Sequence, residues 1–225
     1  MQAVQTKSEA QIKQDVLAEL KWDPRVDEWD VGVEVDNAVV TLTGTVASYA
    51  KQIAAREAAH RVAGVLDVVN NIKVKLPGSL QRTDTEIAQA VRDALRWDVT
   101  VPHEQIQTTV SQGAVVLEGT VDYLYQRESA EWAIRNLQGV TSIVNRLRLV
   151  GPSVAAEAVR RSIEGALERR AERAANRITI TVTGGKVRVS GAVRSWEEKQ
   201  AVLSAAKFTP GVLDVEDSLR IDAFA

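Results

Sequence analysis

The chain has 225 residues, of which 45% are hydrophobic and 26% are charged, and its formal net charge is −2. This composition is typical of a folded globular protein and excludes a disordered one. The absence of cysteine excludes disulfides, thiolate metal sites and a cysteine nucleophile. No export signal is recognisable in residues 1–14, and no apolar run of about 18 residues occurs. We therefore expect a cytoplasmic chain without a transmembrane segment, periplasmic only if a signal has been removed.

The first predicted element is an amphipathic helix. Ile12, Val16 and Leu20 stand four residues apart, which places them on one face of a helix. Ser8 is a candidate N-cap, because its hydroxyl can accept a hydrogen bond from an unpaired amide of the first turn. Further along, Asp84 is the candidate cap of a similar helix.

Two strands, a second helix and a last strand follow. The stretch VGVEV, residues 31–35, alternates apolar and polar residues, and the stretch VTLTGTV, residues 40–46, is the second strand. The pair Asp36-Asn37 between them is a hairpin signal. A second helix starts near Tyr49 and ends before Gly64, and the last strand ends at Ile72. The predicted order is αββαβ.

The stretch VTLTGTV occurs twice more, as VVLEGTV at residues 115–121 and VRVSGAV at residues 187–193. Its glycines are spaced by 75 and 72 residues, and the same offsets relate the apolar positions of the helices and strands. The further hairpin signals are Gln112-Gly113 and Gly184-Gly185. We predict an α+β fold of three tandem αββαβ repeats, each with a three-stranded mixed sheet packed on two helices. The predicted bounds are 8–76, 82–150 and 153–222.

Two sets of equivalent glycines have a predicted structural role. One set is expected at a sharp turn into the second helix, where no β-carbon fits. The other is expected to end the second helix in the left-handed conformation, with a valine next to it as the apolar partner of the cap. The first set is Gly44, Gly119 and Gly191, and the second is Gly64, Gly139 and Gly211.

The repeated sequence motifs resemble those of the BON domain, which is named for bacterial osmotically inducible and nodulation proteins. The resemblance rests on the Gly-x-Val phrase, the alanine-rich second helix and the later Gly-Val pair, and it extends over three domains from about Ser8 to Asp222. It implies an αββαβ fold, no enzymatic activity and a role in osmotic or envelope stress. It also implies that anionic phospholipid is a ligand of some members, and that many members are periplasmic.

The residues themselves show no catalytic constellation. The two histidines, His60 and His103, lie at non-equivalent places of their repeats, which favours surface or loop histidines. No phosphate-binding glycine motif occurs, and the acidic loop around Trp29 lacks the spacing of a calcium site. We expect no enzyme, no metal site and no cofactor.

Aromatic residues form the first candidate binding set. Trp22 and Trp97 are equivalent and follow the first helix, whereas Tyr49 and Trp196 are equivalent at the start of the second. Leu124 takes the latter position in the middle repeat, between Tyr123 and Tyr125. These side chains either cover the ends of small cores or form an amphipathic surface for a membrane or a protein partner.

Charge forms the second candidate set. The three repeats carry net charges of −3, −2 and +2. Arg169, Arg173 and Arg177 stand four apart and form a basic stripe if helical, beside a stripe of glutamates. The stripes are either a solvated, mutually paired surface or a contact for anionic lipid. Nucleic acid is disfavoured, because the chain is acidic overall and has no base-stacking motif.

Two functional hypotheses result. The first is a non-enzymatic, stress-associated binding protein that docks on an anionic phospholipid surface or an envelope partner, through the aromatic positions and the basic stripe of the third repeat. The alternative is a cytoplasmic module that binds a small ligand or ion, or that associates with itself as a scaffold. Salt-sensitive membrane binding favours the first, and a ligand-dependent melting shift favours the second.

Overall fold

The structure is a computed structural model that describes residues 7–150, 156–170, 178–193 and 196–221, with no side-chain description for 166–170, 197 and 221. The chain forms two compact units, and both draw on the middle repeat. The first unit runs up to Asp93 and adds Thr108–Val116 and Ile134–Val144. The second contains Ala94–Gln107, Leu117–Ala133 and the chain from Asn145 onward.

Each repeat has the predicted element order. The first repeat contains α1 Glu9–Trp22, β1 Val31–Asp36, β2 Val39–Val46, α2 Tyr49–Arg61, β3 Asp67–Asn70 and β4 Lys73–Val74. The second contains α3 Asp84–Trp97, β5 Ile106–Ser111, β6 Ala114–Val121, α4 Leu124–Ile134 and β7 Ser142–Leu149. The third contains α5 Ala156–Arg170, β8 Ile178–Thr183, β9 Lys186–Val193, α6 Trp196–Lys207 and β10 Asp214–Ile221.

The sheets are mixed, as predicted. In the first repeat β1 pairs antiparallel with β2, and β2 pairs parallel with β3 and β4. In the third, β8 pairs antiparallel with β9, and β9 pairs parallel with β10. The second-strand phrase lies at the centre of every sheet. The α+β fold of three repeated units is confirmed, with one difference, since the last strand of the first repeat consists of two short segments.

The predicted apolar positions form the core of each repeat. Ile12, Val16 and Leu20 on α1 are at most 2% exposed, and they pack with the inward residues of β1 and β2. The equivalent residues of α3, namely Ile87, Val91 and Leu95, are buried to the same degree. The four-residue spacing in the sequence therefore identified the buried faces of these helices.

The first-helix N-terminus differs from expectation in the middle repeat. Ser8 caps α1 as predicted, in a capping box with Gln11. In α3 the cap is Thr83, whose hydroxyl accepts a hydrogen bond from the Glu86 amide, while the Glu86 carboxylate accepts one from the Thr83 amide. Asp84 instead accepts hydrogen bonds from the Gln112 and Gly113 amides at 2.9 Å. It thus ties the helix to the hairpin turn, a long-range role that local spacing does not reveal.

The hairpin turns have positive φ at both central residues, the geometry that suits a tight β-hairpin. The predicted Gln112-Gly113 and Gly184-Gly185 pairs are confirmed, with φ of 52°, 76°, 56° and 81°. In the first repeat the turn lies one residue later than predicted, at Asn37 and Ala38, with φ of 49° and 62°.

The first set of glycines lies inside a strand and not in a turn after it. Gly44 has φ of 124° within β2, opposite Val31, and a β-carbon there would lie 2.0 Å from the Asp30 carbonyl oxygen. Gly119 in β6 meets the Gln105 carbonyl in the same way, at 2.1 Å, and Gly191 lies within β9 with φ of 129°. The prediction of no room was right for Gly44 and Gly119. The predicted turn was wrong, because the space is taken by the carbonyl of the residue that precedes the paired strand. The second set, Gly64, Gly139 and Gly211, has positive φ in the turn after the second helix.

Candidate functional site

All five tryptophans of the chain lie at the surface, with exposed fractions of 60% to 89%. An indole buries a large apolar area when it enters a core, so an exposed tryptophan is available for a partner or an interface. Trp22 and Trp97 are each 81% exposed, and Trp196 is 62% exposed. Covering the end of a core is therefore not the role of these three side chains.

Trp22 and Trp97 occupy the same place in two repeats. Each is the last residue of a first helix, and each follows an exposed basic residue, Lys21 or Arg96. The amide of the next residue closes the helix, since Asp23 donates to the Glu19 carbonyl and Asp98 to the Ala94 carbonyl. A cation and an indole are thus consecutive residues at the end of each helix.

An ion-pair network holds the chain after Trp22. The Asp23 side chain is only 5% exposed and accepts hydrogen bonds from Arg25 at 2.8 Å and Arg61 at 2.9 Å. Hydrogen bonds from Arg25 and Arg61 hold the pKa of the Asp23 carboxyl well below its usual range. Arg61 also donates to Glu19 at 2.7 Å, and Arg25 donates to Glu57 at 3.0 Å. The end of α1 is therefore fixed to α2 by charge.

The equivalent residue of the second repeat has a local role. Asp98 accepts hydrogen bonds from the Thr100 amide at 2.9 Å and from the Thr100 hydroxyl at 2.7 Å. The Trp-Asp pair is present in both repeats, but Asp23 joins α1 to α2 through Arg61, whereas Asp98 stabilises only the turn at Thr100. The exposed tryptophan is what the two sites have in common.

The tyrosines of the predicted set are placed differently. Tyr49 is 8% exposed, so the structure corrects its predicted place on a contact surface. Tyr123 and Tyr125 are half-buried, with ring centroids 5.5 Å apart, and Tyr125 stacks on Phe208 with centroids 4.1 Å apart. Tyr125 therefore contributes to packing inside the second unit, which agrees with the alternative that these aromatic side chains cover a core.

The predicted basic stripe lies largely outside the described residues. Helix α5 is described up to Arg170, the side chain of Arg169 is not described, and Arg173 and Arg177 lie outside the described residues. Nearer the start of α5, Arg160 pairs with Glu157 at 2.9 Å and with Glu164 at 3.7 Å. This part of the helix shows the paired, solvated pattern.

Sequence reasoning missed several exposed apolar side chains. Trp29 is 89% exposed, Val99 is 98% exposed and Leu66 is 78% exposed. The acidic residues around Trp29 could have indicated its exposure. A loop rich in carboxylates is solvated, so a tryptophan within it is also expected at the surface. No comparable signal marks Val99 or Leu66.

The described residues contain few features of a metal or ligand site. Within them, no group of three or more His, Asp or Glu side chains is placed to hold a metal ion. His60 is exposed, and His103 begins a short 3-10 helix. A shallow groove of about 630 Å³ lies beside Trp22, between Glu19 and Ala63 among others. No described helix is long and apolar enough to cross a membrane.

The model of the BON domain family matches the chain at residues 8–75, 83–151 and 155–223. The osmotically-inducible protein Y of Escherichia coli (strain K12) is 32% identical over 141 residues, which cover 61% of this chain and 70% of that protein. The chain also matches two structures of CdsD, a structural protein of the type III secretion system of Chlamydia trachomatis. One, the C-terminal domain, is 13% identical, with 96% of this chain and 100% of that chain covered and a TM-score of 0.26. The other is 14% identical, with 93% and 92% covered and a TM-score of 0.26.

Proposed function

The chain belongs to the BON domain family, and from that membership we propose that it is a non-enzymatic, stress-associated protein that docks on anionic phospholipid surfaces. The similarity to an osmotically inducible protein supports the association with osmotic stress. The observation that carries the proposal is the pair of equivalent tryptophans, Trp22 and Trp97, each 81% exposed.

The chemistry of the two helix ends suits a lipid surface. An indole prefers the boundary between headgroups and acyl chains, where its apolar body is buried and its N–H stays near water. The neighbouring Lys21 side chain is 73% exposed, and the carboxylate of Glu28 lies 3.8 Å from its ammonium. A cation at the surface gains about 1 kcal/mol from an anionic leaflet. Arg96 takes the same place beside Trp97.

Two similar sites on one chain strengthen binding if both reach the same surface. The second binding step then occurs at a high effective concentration, so two weak contacts together give a stable attachment. The first and second repeats carry a net negative charge. Because repulsion from the rest of each repeat opposes attachment, we expect the binding to depend on the local cations and indoles.

Vesicle flotation tests the proposal. The full chain is mixed with anionic and with neutral vesicles at low and moderate salt, and the Trp22→Ala/Trp97→Ala double variant is compared with Trp132→Ala. Trp132 is also exposed, at 60%, but belongs to α4 and not to a first helix. We expect salt-sensitive flotation with anionic vesicles only, lost in the double variant and kept in the control.

Further variants separate the contributions. Lys21→Ala/Arg96→Ala should weaken flotation with anionic vesicles, and Arg169→Ala/Arg173→Ala/Arg177→Ala tests the predicted basic stripe. Equal flotation of the double tryptophan variant and the native chain would refute the assigned site. Absence of flotation under every condition would refute membrane docking and turn attention to protein partners and small ligands. The cytoplasmic location stays a prediction, which cell fractionation tests.

A further inference from the structure

Two contacts between neighbouring repeats take their cation from the same position at the end of the second helix, whereas their glutamates come from positions one helical turn apart. In the first unit, the guanidinium of Arg135, directly after α4, donates to the Glu57 carboxylate on α2 at 3.2 Å. In the second unit, the Lys207 ammonium at the end of α6 donates to the Glu128 carboxylate on α4 at 2.9 Å. Lys207 is 72 residues after Arg135, so the two cations are equivalent.

Both contacts have the same direction. The earlier repeat supplies a glutamate from its second helix, and the later repeat supplies the cation from the end of its second helix. The two partners therefore use different surfaces, which defines a heterologous, head-to-tail contact. A contact of this kind leaves one surface of each type uncovered unless the repeats close into a ring or a further copy binds.

An apolar position at the start of the second helix is also covered in the first two repeats and exposed in the third. Leu124 at the start of α4 is 6% exposed and belongs to the core cluster of the third repeat. Its equivalents are Tyr49 at the start of α2, which is 8% exposed, and Trp196 at the start of α6, which is 62% exposed. The position is buried in the first two repeats, whereas the described residues leave it uncovered in the third.

The complementary surface is exposed on the first repeat. The equivalents of Lys207 and Phe208 there are His60 and Arg61 on α2, and both are exposed. The Arg61 guanidinium donates within its plane to Glu19 and Asp23, and its side chain is 43% exposed. An exposed face of a guanidinium is a partner for an indole.

We propose that the start of α6, around Trp196 and Gln200, binds the end of α2 of a second copy of this chain. In this contact Trp196 takes the place of Leu124, and Arg61 takes the place of Phe208, on which Tyr125, the residue after Leu124, stacks with ring centroids 4.1 Å apart. The occupant is a second copy because the surface continues the head-to-tail contact already formed twice in the chain. The proposal is independent of membrane docking and is tested without vesicles.

The sequence makes this contact weaker than the two inside the chain. Gln200 stands where Glu128 supplies its carboxylate, and His60 stands where Lys207 supplies its ammonium. The ion pair is thus missing, and the indole carries the contact. Association is therefore expected to be reversible and dependent on concentration.

The absence of cysteine allows a direct test by site-specific cross-linking. Gln200→Cys and His60→Cys are made separately in the full chain, one of them with an affinity tag, and treated with a short bismaleimide alone and mixed. We expect covalent dimers in the mixture and almost none in either variant alone. A chain with both substitutions should give a ladder of oligomers.

Sedimentation measures the strength of the same contact. Trp196→Ala should weaken association about tenfold, whereas Gln200→Glu/His60→Lys should strengthen it about threefold by restoring the ion pair. Gln200→Lys/His60→Lys is the matched control and should weaken association. Equal cross-linking of each single variant alone would show a symmetric contact and overturn the proposal. A monomer at every concentration, with no cross-links in the mixture, would overturn it as well.

Discussion

The first and second repeats share their elements and their exposed tryptophans, yet they stabilise the same positions by different means. Asp23 is buried and paired with Arg25 and Arg61, whereas Asp98 accepts its hydrogen bonds from Thr100, two residues away. The hairpin turn carries Ala38 in one repeat and Gly113 in the other. Equivalent positions in a repeat protein thus keep their backbone geometry while the side-chain contacts diverge.

The largest expected effect concerns the strand glycine that the two repeats share. Gly44→Ala and Gly119→Ala should each lower the free energy of unfolding by about 3 kcal/mol or more, because the new β-carbon would meet a carbonyl oxygen at 2.0 or 2.1 Å. Urea titration followed by circular dichroism measures both. Gly78→Ala is the control, since a β-carbon added there would have nothing within 4 Å. Unchanged stability in either strand variant would contradict the strand constraint.

The second prediction is that the two equivalent aspartates contribute differently to stability. Asp23→Asn should cost about 2 kcal/mol, because it removes charged hydrogen bonds and leaves two arginines without their shared carboxylate. Asp98→Asn should cost less than about 0.5 kcal/mol, since an amide oxygen can accept the same bonds from Thr100. Thermal unfolding of both variants at neutral pH measures the difference. Equal losses would show that the two aspartates have the same role.

The pH dependence follows from the same carboxylate. The folded-state pKa of Asp23 lies below its unfolded value, because Arg25 and Arg61 favour the charged form. Its contribution to stability is therefore present above the unfolded pKa of about 4 and is lost as the pH falls toward the folded value. The stability difference between the native chain and Asp23→Asn should be constant near pH 7 and shrink below about pH 4. A difference that grows in acid would contradict this sign.

The smallest expected effect concerns the hairpins. Ala38 has φ of 62°, a conformation that a residue with a β-carbon rarely adopts. Ala38→Gly should therefore raise the free energy of unfolding by about 1 kcal/mol. The matched change in the second repeat, Gly113→Ala, should lower it, since a β-carbon there would lie 2.4 Å from the Gly139 carbonyl oxygen. Thermal midpoints of the two variants moving in the same direction would contradict the assigned turn geometry.

The repeat register allowed most of the fold to be predicted. Apolar spacing located the buried faces of α1 and α3, and turn residues located two of the three hairpins. The first hairpin was placed one residue early because Asp36-Asn37 looks like a better turn than Asn37-Ala38, although the pairing of Asp36 with Val39 places it in the strand. Strand register, a non-local property, outweighed local turn preference there.

The exposure of the predicted aromatic residues could be predicted only in part. Trp22, Trp97 and Trp196 are exposed as a contact surface requires, whereas Tyr49 is buried at the position equivalent to Trp196. Identical aromatic character at equivalent positions could not separate these cases. What decides the exposure of such a residue is whether another part of the chain packs on it, and sequence spacing within a repeat contains no information about that.

The sequence by itself determined the threefold repetition, the order of elements and the buried faces, because hydrophobic periodicity and glycine positions are local and recur in each copy. Only the tertiary structure decided which side chains meet across repeats. The Arg135–Glu57 and Lys207–Glu128 pairs join residues 78 and 79 positions apart. Such contacts arise from how folded repeats pack, and packing depends on shape and charge at surfaces that the chain assembles only once its strands and helices have formed.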